Sequence, residues 1–392
     1  MDNKIIKSIK YRIFPTDEQK VILNNCFGAR RWCWNYLCDL IFETDYMKQV
    51  EKFSTTTRSL RNHIRQNGPE WVANGSKTIN ETLVENVASD FSKAYSMYYK
   101  KAKLYLKEAR IHEIDNFKPK NKTKKEMNFS FTLGKKSEGT FKIINGMLNT
   151  NITRHIGRQT FITRKKISIN SKSIKQINFK YENGKYYMGI VYESQVLQKP
   201  YTSGSKIGID LGMKTSAVCY DGNKYFNYKL PDMVIKLRNK KDKINSKFSQ
   251  AKNNSKNKLK LLKRLNKSYR RMINFRNNWQ DHIVVDLCKK YETIIIDDMP
   301  NHSKGFNKHN NKKMSIAPGR FKVRLNLKSE EYMNNIIIVK SGTPTTQTCS
   351  NCGNIKQKED KLTLNDRTYE CKCCGYIKDR DENSAKNVFN YN

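Results

Sequence analysis

The sequence is poor in acidic residues, in histidine and in long apolar runs. Its 36 Asp and Glu residues face 76 Lys and Arg residues, which gives a net charge of +40. Only 6 histidines occur in the chain, which disfavours a catalytic zinc centre. No apolar run approaches the ~18–20 residues that cross a membrane, and the first four residues (MDNK) begin no apolar signal core. These absences exclude a membrane-spanning protein and predict an intracellular one.

The composition indicates a folded, strongly basic protein of several domains. The 392 residues suffice for two or three domains. Hydrophobic residues at 37% and aromatic residues at 11% predict real cores rather than wholesale disorder. Such a positive charge over ordered sequence favours a polyanionic partner, most simply nucleic acid. The alternative is a surface charged for solubility alone, which rarely needs so large an excess of one sign.

The first third of the chain predicts a strand followed by helices. Alternating apolar residues precede Pro15, and Thr16 with Gln19 three residues later forms a capping box that begins a helix. Apolar residues at helical spacing continue to Leu40 and recur from about residue 79 to residue 105.

Arginines and aromatic residues cluster on the first of these helices, at Arg30, Arg31, Trp32, Trp34 and Tyr36. Aromatic rings stack on bases, and arginines contact phosphates or guanine edges. The tryptophans alternatively belong to the helix core. Both arginines cannot face an apolar core, so at least one is expected to reach nucleic acid.

Short alternating segments follow a basic connector at residues 118–125. An Asn-Gly pair at Asn183 and Gly184 predicts a hairpin turn between the last two. Together they indicate a small β-barrel or a curved sheet, which the opening strand joins and the helical part interrupts. The segments are Met127–Leu133, Thr140–Ile144, Lys166–Ile169, Ile174–Tyr181 and Tyr186–Tyr192.

The second half of the chain predicts strands around a long helical region at residues 232–290. Three segments before it are spaced like antiparallel strands, two Ile-rich strands follow it, and a short helix at about 382–390 comes last. The strands are Ile207–Leu211, Ser216–Tyr220, Tyr225–Tyr228, Thr293–Ile296 and Ile336–Val339.

The helical region is exceptionally basic, with 16 Lys and Arg between residues 236 and 276 against the single acid Asp242. Ordinary exposed helices mix charges of both signs, so this region is interpreted as a nucleic-acid groove; a solvated helix pair is the alternative. The candidate contacts are Lys258, Lys260, Lys263, Arg264 and Arg271, and an apolar seam is predicted at Leu262, Leu265, Tyr269, Met272 and Trp279.

Five of the ten cysteines lie between residues 349 and 374. Cys349, Cys352, Cys371 and Cys374 have the spacing C-x2-C-x18-C-x2-C, which is typical of a zinc site. Four thiolates close a tetrahedral site, so the Zn²⁺ is predicted to be structural. The extra thiol Cys373 could compete, but Cys374 repeats the Cys-Gly of the first pair. Disulfides are disfavoured inside a cell.

Three acids follow or flank predicted elements. Asp210 is the charged residue of an apolar strand, which is costly unless something binds it; Asp297 ends an Ile-rich strand, and Asp381 precedes the last helix. Carboxylates from distant segments suit paired Mg²⁺ ions, which activate water and stabilise the leaving oxygen of a phosphodiester. Each acid alone could instead be a strand end or a helix cap.

These motifs resemble those of a known family. Residues 208–214 (GIDLGMK) and 294–299 (IIIDDM) resemble the first two motifs of RuvC-like nucleases. Residues 346–353 (TQTCSNCG) with 379–387 (DRDENSAKN) resemble the zinc finger and third motif of TnpB and its eukaryotic and viral relatives, the Fanzor proteins. Residues 11–16 (YRIFPT) and 27–30 (FGAR) match that family's opening, so the resemblance covers nearly the whole chain.

The resemblance implies an RNA-guided DNA endonuclease encoded with a transposable element, whose partners are a guide RNA and target double-stranded DNA. The implied fold class is α+β multidomain. A wedge β-barrel (1–16 and 116–204) carries an inserted helical recognition domain (17–115), and an RNase-H-like (RuvC) α/β nuclease domain (205–392) contains the basic helical segment (232–290) and the inserted four-cysteine zinc finger (345–378).

The resemblance also implies catalytic roles, in which Asp210 matches the first acid and Asp381 the third. The family's second acid is usually Glu, whereas this sequence has Asp297 followed by Asp298. The shorter Asp side chain leaves open whether Glu330 or Glu331 supplies this ligand instead, as the second acid of Fanzor proteins can come from elsewhere.

Two other functions remain open on the sequence alone. One is an RNA-guided DNA-binding protein whose nuclease centre has decayed, and the other is a RuvC-like nuclease that needs no guide. The expected location is the nucleus for a eukaryotic or viral protein and the cytoplasm for a prokaryotic one. The oligomeric state is not predicted.

Overall fold

The structure is a computed structural model. It describes residues 4–42, 54–72, 78–108, 111–124, 128–153, 156–196, 200–212, 216–297, 316–357, 360–363 and 365–391. The chain forms two compact units, one spanning residues 6–194 and the other comprising residues 195–392 with the first five residues. Within the described ranges, no helix is long and apolar enough to cross a membrane.

The first unit contains the predicted helices. Thr16 N donates to Gln19 Oε1 at 3.2 Å and Gln19 N donates to Thr16 Oγ1 at 3.3 Å, so the capping box is confirmed. The apolar stripes of the helices are buried, with Leu23, Leu37 and Phe91 inaccessible to solvent. The helices are α1 (Asp17–Phe42), α2 (Thr57–Asn67) and α3 (Glu81–Lys107), and a 3-10 helix spans Ile111–Phe117.

Two sheets accompany these helices in the ranges that the structure describes. Asn183 and Gly184 have φ angles of 47° and 78°, the left-handed pair that a two-residue hairpin turn requires. The four-stranded sheet has the order β1-β7-β6-β2, so the opening strand joins it as predicted. Its strands are β1 (Lys4–Ile13), β2 (Asn128–Gly134), β6 (Ile174–Glu182) and β7 (Lys185–Gln195), and the second sheet consists of β3 (Phe141–Ile144), β4 (Met147–Asn151) and β5 (Arg158–Phe161).

The predicted closed barrel is not seen among the described residues, whose strands form separate four- and three-stranded sheets. The predicted strand Lys166–Ile169 is also wrong, because this segment is irregular. Ile167 and Ile169 are buried, so the apolar alternation is real, and Ile167 N bonds to Gly146 O at 2.8 Å. The apolar alternation therefore identified the buried side chains correctly. Among the described residues, however, no neighbouring strand forms a ladder of hydrogen bonds with this segment.

The second unit is built on a mixed sheet with the order β10-β9-β8-β11-β12. Three neighbouring strands are antiparallel, as predicted, and β11 runs parallel to both β8 and β12. The apolar strands β8 and β11 are buried, as expected for parallel strands inside a sheet, whereas the edge strand β12 is only partly buried and its Ile338 is 44% exposed. The strands are β8 (Lys206–Asp210), β9 (Ala217–Tyr220), β10 (Tyr225–Tyr228), β11 (Thr293–Ile296) and β12 (Asn335–Ile338).

The described part of this unit contains the helices α4 (Asp232–Gln250), α5 (Lys256–Lys290), α6 (Pro318–Tyr332) and α7 (Arg380–Phe389). The helical region at 232–290 is confirmed as the hairpin of α4 and α5. Its predicted seam is partly wrong, because Tyr269 is 38% exposed while its neighbour Ser268 is buried. Polar residues share the buried face of α5, so the apolar residues alone did not identify that face.

A close approach of two backbones fixes α7 against β8. A Cβ atom on Gly208 would lie 2.3 Å from the backbone N of Phe389 and 2.7 Å from the backbone O of Ala385. Real Cβ contacts are essentially never this short, and backbone atoms cannot rotate aside as a side chain does. Only glycine therefore allows α7 to pack directly on the strand that ends at Asp210.

We predict that Gly208→Ala destabilises the second unit by about 3 kcal/mol, because the added methyl overpacks a contact between main chains. Calorimetric melting of that unit should shift accordingly. Gly189→Ala, in β7, is the matched control, since its Cβ would meet nothing closer than 3.8 Å. Equal stability of the two variants would contradict the close approach.

Candidate functional site

Two predicted acids meet at one edge of the mixed sheet. The parallel register of β8 and β11 sets Ile209 beside Ile296, and Asp297 N donates to Ile209 O at 3.0 Å. Asp210, the last residue of β8, and Asp297, the residue after β11, therefore lie at the same carboxyl end. Parallel pairing of two apolar strands is what brings these distant acids together.

The third acid reaches this edge on the first turn of α7. Asp379 caps the helix, accepting hydrogen bonds from Asp381 N at 2.8 Å and Glu382 N at 3.2 Å. A side chain that accepts hydrogen bonds from the unpaired N–H groups of the first turn fixes the residue at which a helix begins. Because α7 packs on β8 at Gly208, this cap places Asp381 close enough to Asp210 for the two charges to interact.

Burial and repulsion together perturb Asp210. Its side chain is 6% exposed. Desolvation, then the charges of Asp297 and Asp381, raise its pKa to about 8, against the opposing charge of Arg380. A carboxylate in this position is stabilised by a bound cation. The donor set is all oxygen, which fits a hard divalent ion such as Mg²⁺.

Neighbouring polar and charged side chains hold Asp297 and Asp381 in position. Thr345 Oγ1 donates to Asp297 Oδ2 at 3.2 Å. Arg380 Nη2 lies 3.3 Å from Asp381 Oδ1, and Arg367 Nη1 lies 3.8 Å from Asp381 Oδ2. Asp381 and Arg367 also line an open cavity of about 190 Å³, through which a substrate could approach the third acid.

The alternative second acids lie elsewhere. Glu331 is buried on α6, where its Oε2 pairs with Lys328 Nζ at 2.5 Å and its charge acts on the Cys288 thiol. Cys288 precedes β11, so Glu331 lies at the amino end of the strands, roughly 13 Å from the carboxyl end at about 3.3 Å per residue. Glu330, the preceding residue, is exposed. This placement favours Asp297; Asp298 lies outside the described residues.

The four predicted cysteines converge. Their sulfur atoms all lie within 4.8 Å of one another, with Cys349 Sγ 3.8 Å from Cys374 Sγ and Cys352 Sγ 3.6 Å from Cys371 Sγ. Of the described residues, these thiols are the group of three or more ligands that is compact enough to hold a metal ion as it stands. The cluster fits a structural zinc site, whereas the mutually repelling carboxylates are more widely spaced.

The two cysteine turns repeat one another. Gly353 N donates to Cys349 O and Gly375 N donates to Cys371 O, both at 2.9 Å. Both glycines have positive φ, 76° and 68°, which only glycine adopts at little cost. Two short antiparallel strands, β13 (Thr368–Glu370) and β14 (Ile377–Asp379), flank the second turn. Cys373 is outside the cluster.

Two asparagines on α7 bind the cysteine module, and sequence reasoning missed both. Asn383, fully buried, accepts from Ser350 N at 2.9 Å and donates to Thr348 O at 2.8 Å. Asn387 donates to Thr345 O at 2.8 Å and to Thr348 O at 2.6 Å. Asparagine is a poor helix former. Two asparagines at positions i and i+4, on one face of a predicted helix, could therefore have indicated that their side chains form hydrogen bonds outside the helix.

The arginines predicted on α1 have different environments. Arg30 pairs with Asp90 at 2.7 Å, and the Arg31 guanidinium lies 5.9 Å from the centre of the Phe129 ring. Both line a cavity of about 60 Å³. Trp34 is buried and donates to Lys120 O at 3.0 Å, as the core alternative predicts.

The basic residues of α5 that were predicted to contact nucleic acid also lie in different environments. Lys258 closes the helical hairpin, because its Nζ donates to Ala251 O at 3.1 Å and to Asn253 Oδ1 at 2.6 Å. Lys260 and Lys263 are exposed. Arg264 and Arg271 line a cleft between α4 and α5 together with Lys240, Lys267 and Ser268.

Three family models match separate parts of the chain. A helix-turn-helix domain matches residues 1–44, a probable transposase matches residues 189–300 and a Cas12f1-like TNB domain matches residues 319–388. Within residues 4–42 the structure shows a strand and one long helix. The TNB match contains all four clustered cysteines and Asp381.

Whole-chain relatives are viral and bacterial. TnpB-like protein L79 of Acanthamoeba polyphaga mimivirus is 26% identical over 98% of this chain and 72% of its own length. A Streptomyces pristinaespiralis protein, named as a candidate RNA-guided DNA endonuclease, is 20% identical over 99% of this chain and 90% of its own length.

A solved structure shares the fold. The Cas12f1 chain in a cryo-EM complex with single-guide RNA and target DNA matches with a TM-score of 0.50 and 13% identity, covering 98% of this chain and 99% of that one. At this identity the likeness shows the fold alone. The three domain matches and the TnpB-like relatives support the TnpB family.

Proposed function

We propose that this protein is an RNA-guided DNA endonuclease that cleaves with Mg²⁺ held by Asp210, Asp297 and Asp381. The observation that carries the proposal is the meeting of three carboxylates from β8, β11 and α7, one of them buried. A structural role is a poor account of Asp210, since a buried carboxylate among like charges destabilises the fold unless a cation binds it.

Each acid has its own part in holding the metal. Bound Mg²⁺ ions activate water and stabilise the leaving oxygen of a phosphodiester. Asp210 supplies a rigid buried ligand, because the β8 backbone and the packing of α7 leave it little freedom. Asp297 is oriented by Thr345 Oγ1, and Asp381 is positioned by the Asp379 cap.

Nucleic acid would be held by the basic groups outside this centre. The net charge of +40 and the arginines on α1 and α5 suit a polyanion. The Streptomyces relative's name refers to RNA guidance, and the Cas12f1 structure holds guide RNA and target DNA. Guide pairing would then read the target sequence, while the protein recognises backbone shape and a short duplex motif.

The direct test is to purify the protein from its native host or with its own locus, sequence the RNA that copurifies, and offer a matching DNA duplex with Mg²⁺. We expect a discrete RNA and cleavage of matching but not mismatched DNA. Cleavage without RNA would favour the guide-independent nuclease. Binding of guide and target without cleavage in Mg²⁺ or Mn²⁺ would favour the decayed DNA-binding protein.

The acid centre predicts a division of labour between cleavage and binding. Asp210→Asn and Asp381→Asn, which keep side-chain volume, should each reduce cleavage by at least about 100-fold because they remove a charged metal ligand, while RNA and target binding persist. Single-turnover cleavage and filter binding measure the two effects. Loss of binding together with cleavage would contradict this assignment.

A matched pair of variants, at Asp297 and at Glu331, tests which residue is the second acid. If Asp297 is the ligand, Asp297→Ala should be as inactive as Asp210→Asn and Asp297→Glu should retain cleavage. Glu331→Gln should cleave normally, since this residue pairs with Lys328 at the other end of the strands. An inactive Glu331→Gln of unchanged melting temperature, beside an active Asp297→Ala, would reverse the assignment.

The cysteine cluster is proposed to bind one structural Zn²⁺. Cys352→Ser should lose the metal and unfold the local turns, because zinc binding supplies folding free energy. Cys373→Ser is the matched control, an exposed thiol of the same module that lies outside the cluster. Metal analysis of the purified proteins tests this; an equal loss of zinc from both variants would show that the ligand set is wrong.

A further inference from the structure

A cationic cleft lies between the two helices of the basic hairpin. Its volume is about 220 Å³. Two apolar residues, Leu237 and Ile244, are buried at 6% and 9% exposure and form its floor. The remaining lining residues are Lys240 from α4 and Arg264, Lys267, Ser268 and Arg271 from α5.

Helical spacing directs these side chains to one place. Arg264, Ser268 and Arg271 follow the i, i+4, i+7 pattern of one face of α5, with Lys267 beside them. On α4, Lys240 stands between Leu237 and Ile244 at the matching i, i+3, i+7 positions. An apolar seam normally occupies such facing stripes, whereas here four cations converge across the hairpin.

The four cations are not neutralised by the protein. No acidic residue lines the cleft, and within the described part of the chain none of the four forms an ion pair. The nearby acid Asp242 already pairs with Lys241 at 2.9 Å. Gathering like charges over an apolar floor is unfavourable without an anion between them.

A buried hydroxyl points to the same ligand. Ser268 is 5% exposed, and its Oγ has no hydrogen-bond partner among the described residues. An unmade hydrogen bond of a buried hydroxyl is costly. A hydroxyl that lines a cationic cleft is suited to donate to an oxyanion, which would satisfy the serine and the cations together.

We propose that this cleft binds a backbone phosphate of a nucleic acid, gripped by Lys240, Arg264, Lys267 and Arg271 and accepting a hydrogen bond from Ser268. This inference rests on the nucleic-acid binding of the proposed function and names its anchor point. A strand is favoured over a free phosphate because the basic surface continues along both helices, with 16 Lys and Arg to one acid between residues 236 and 276.

Ser268→Ala gives the sharpest test, because it affects binding and stability in opposite directions. It removes a donor to the phosphate, so affinity for a 20-nucleotide RNA should fall about tenfold. It also removes an unsatisfied polar group, so the melting temperature of the free protein should not fall. A hydroxyl used only inside the fold would give lower stability with unchanged affinity, which would overturn the proposal.

A charge-matched pair of double variants tests the cations. Lys240→Gln with Lys267→Gln should lower the salt slope of RNA binding, log K against log salt, by about 0.7 to 0.9, the value of one phosphate contact. The control, Lys243→Gln with Lys256→Gln, removes the same charge from the same helices at exposed positions outside the cleft. Its slope should change less than that of the cleft variant, and equal slopes for both variants would overturn the proposal.

The same measurements with single-stranded DNA and with inorganic pyrophosphate identify the source of the phosphate. If the cleft variants bind RNA, single-stranded DNA or both more weakly than the wild type, the proposal is supported, and the weakened ligand identifies the type of strand that the cleft binds. Pyrophosphate that raises the melting temperature of the wild type but not of Ser268→Ala, with RNA and DNA affinity unchanged, would show that a free phosphate is the ligand and overturn it. Wild-type protein that binds through the cleft but never cuts DNA would contradict only the proposed nuclease activity.

Discussion

The contact between β8 and α7 is the constraint on which the second unit depends. Because Gly208 has no side chain, the backbone of α7 packs into the space that a Cβ atom would occupy. This approach sets the first turn of α7 beside the end of β8, and parallel pairing sets β11 there as well. The acid centre is therefore assembled by main-chain contacts, which are stiffer than contacts between long side chains. Preorganisation of this kind is what a metal centre requires of its ligands.

The cysteine module is coupled to the same helix through side-chain amides. Asn383 and Asn387 bond to backbone groups between Thr345 and Ser350. Thr345 in turn donates to Asp297. A chain of hydrogen bonds thus runs from the cysteine turns to the acid that follows β11. The module supports the acid centre in addition to stabilising its own turns.

Much of the fold could be predicted because its signals are local. The capping box at Thr16, the turn at Asn183 and the spacing of the four cysteines each depend on a few neighbouring residues. The acids were found because charges are costly at the ends of apolar strands. The missing barrel closure, the role of Gly208 and the placement of Glu331 at the amino end of the strands depend on which strands pair, and no local pattern encodes that. The face of α5 was misjudged because its buried side includes Ser268 and Arg276.

The way the acids are fixed has a consequence for how such a chain can change over evolution. Long stretches separate Asp210, Asp297 and Asp381, yet strand register, the Gly208 contact and the Asp379 cap set their backbone positions. The hairpin of α4 and α5 begins and ends near the sheet, so insertions or deletions at its tip, around residues 251–255, leave every acid in place. Lengthening this hairpin would extend the cationic surface while leaving the arrangement of the three acids unchanged. The unit is thus modular: the length of its cationic surface and the arrangement of its acid centre can change independently.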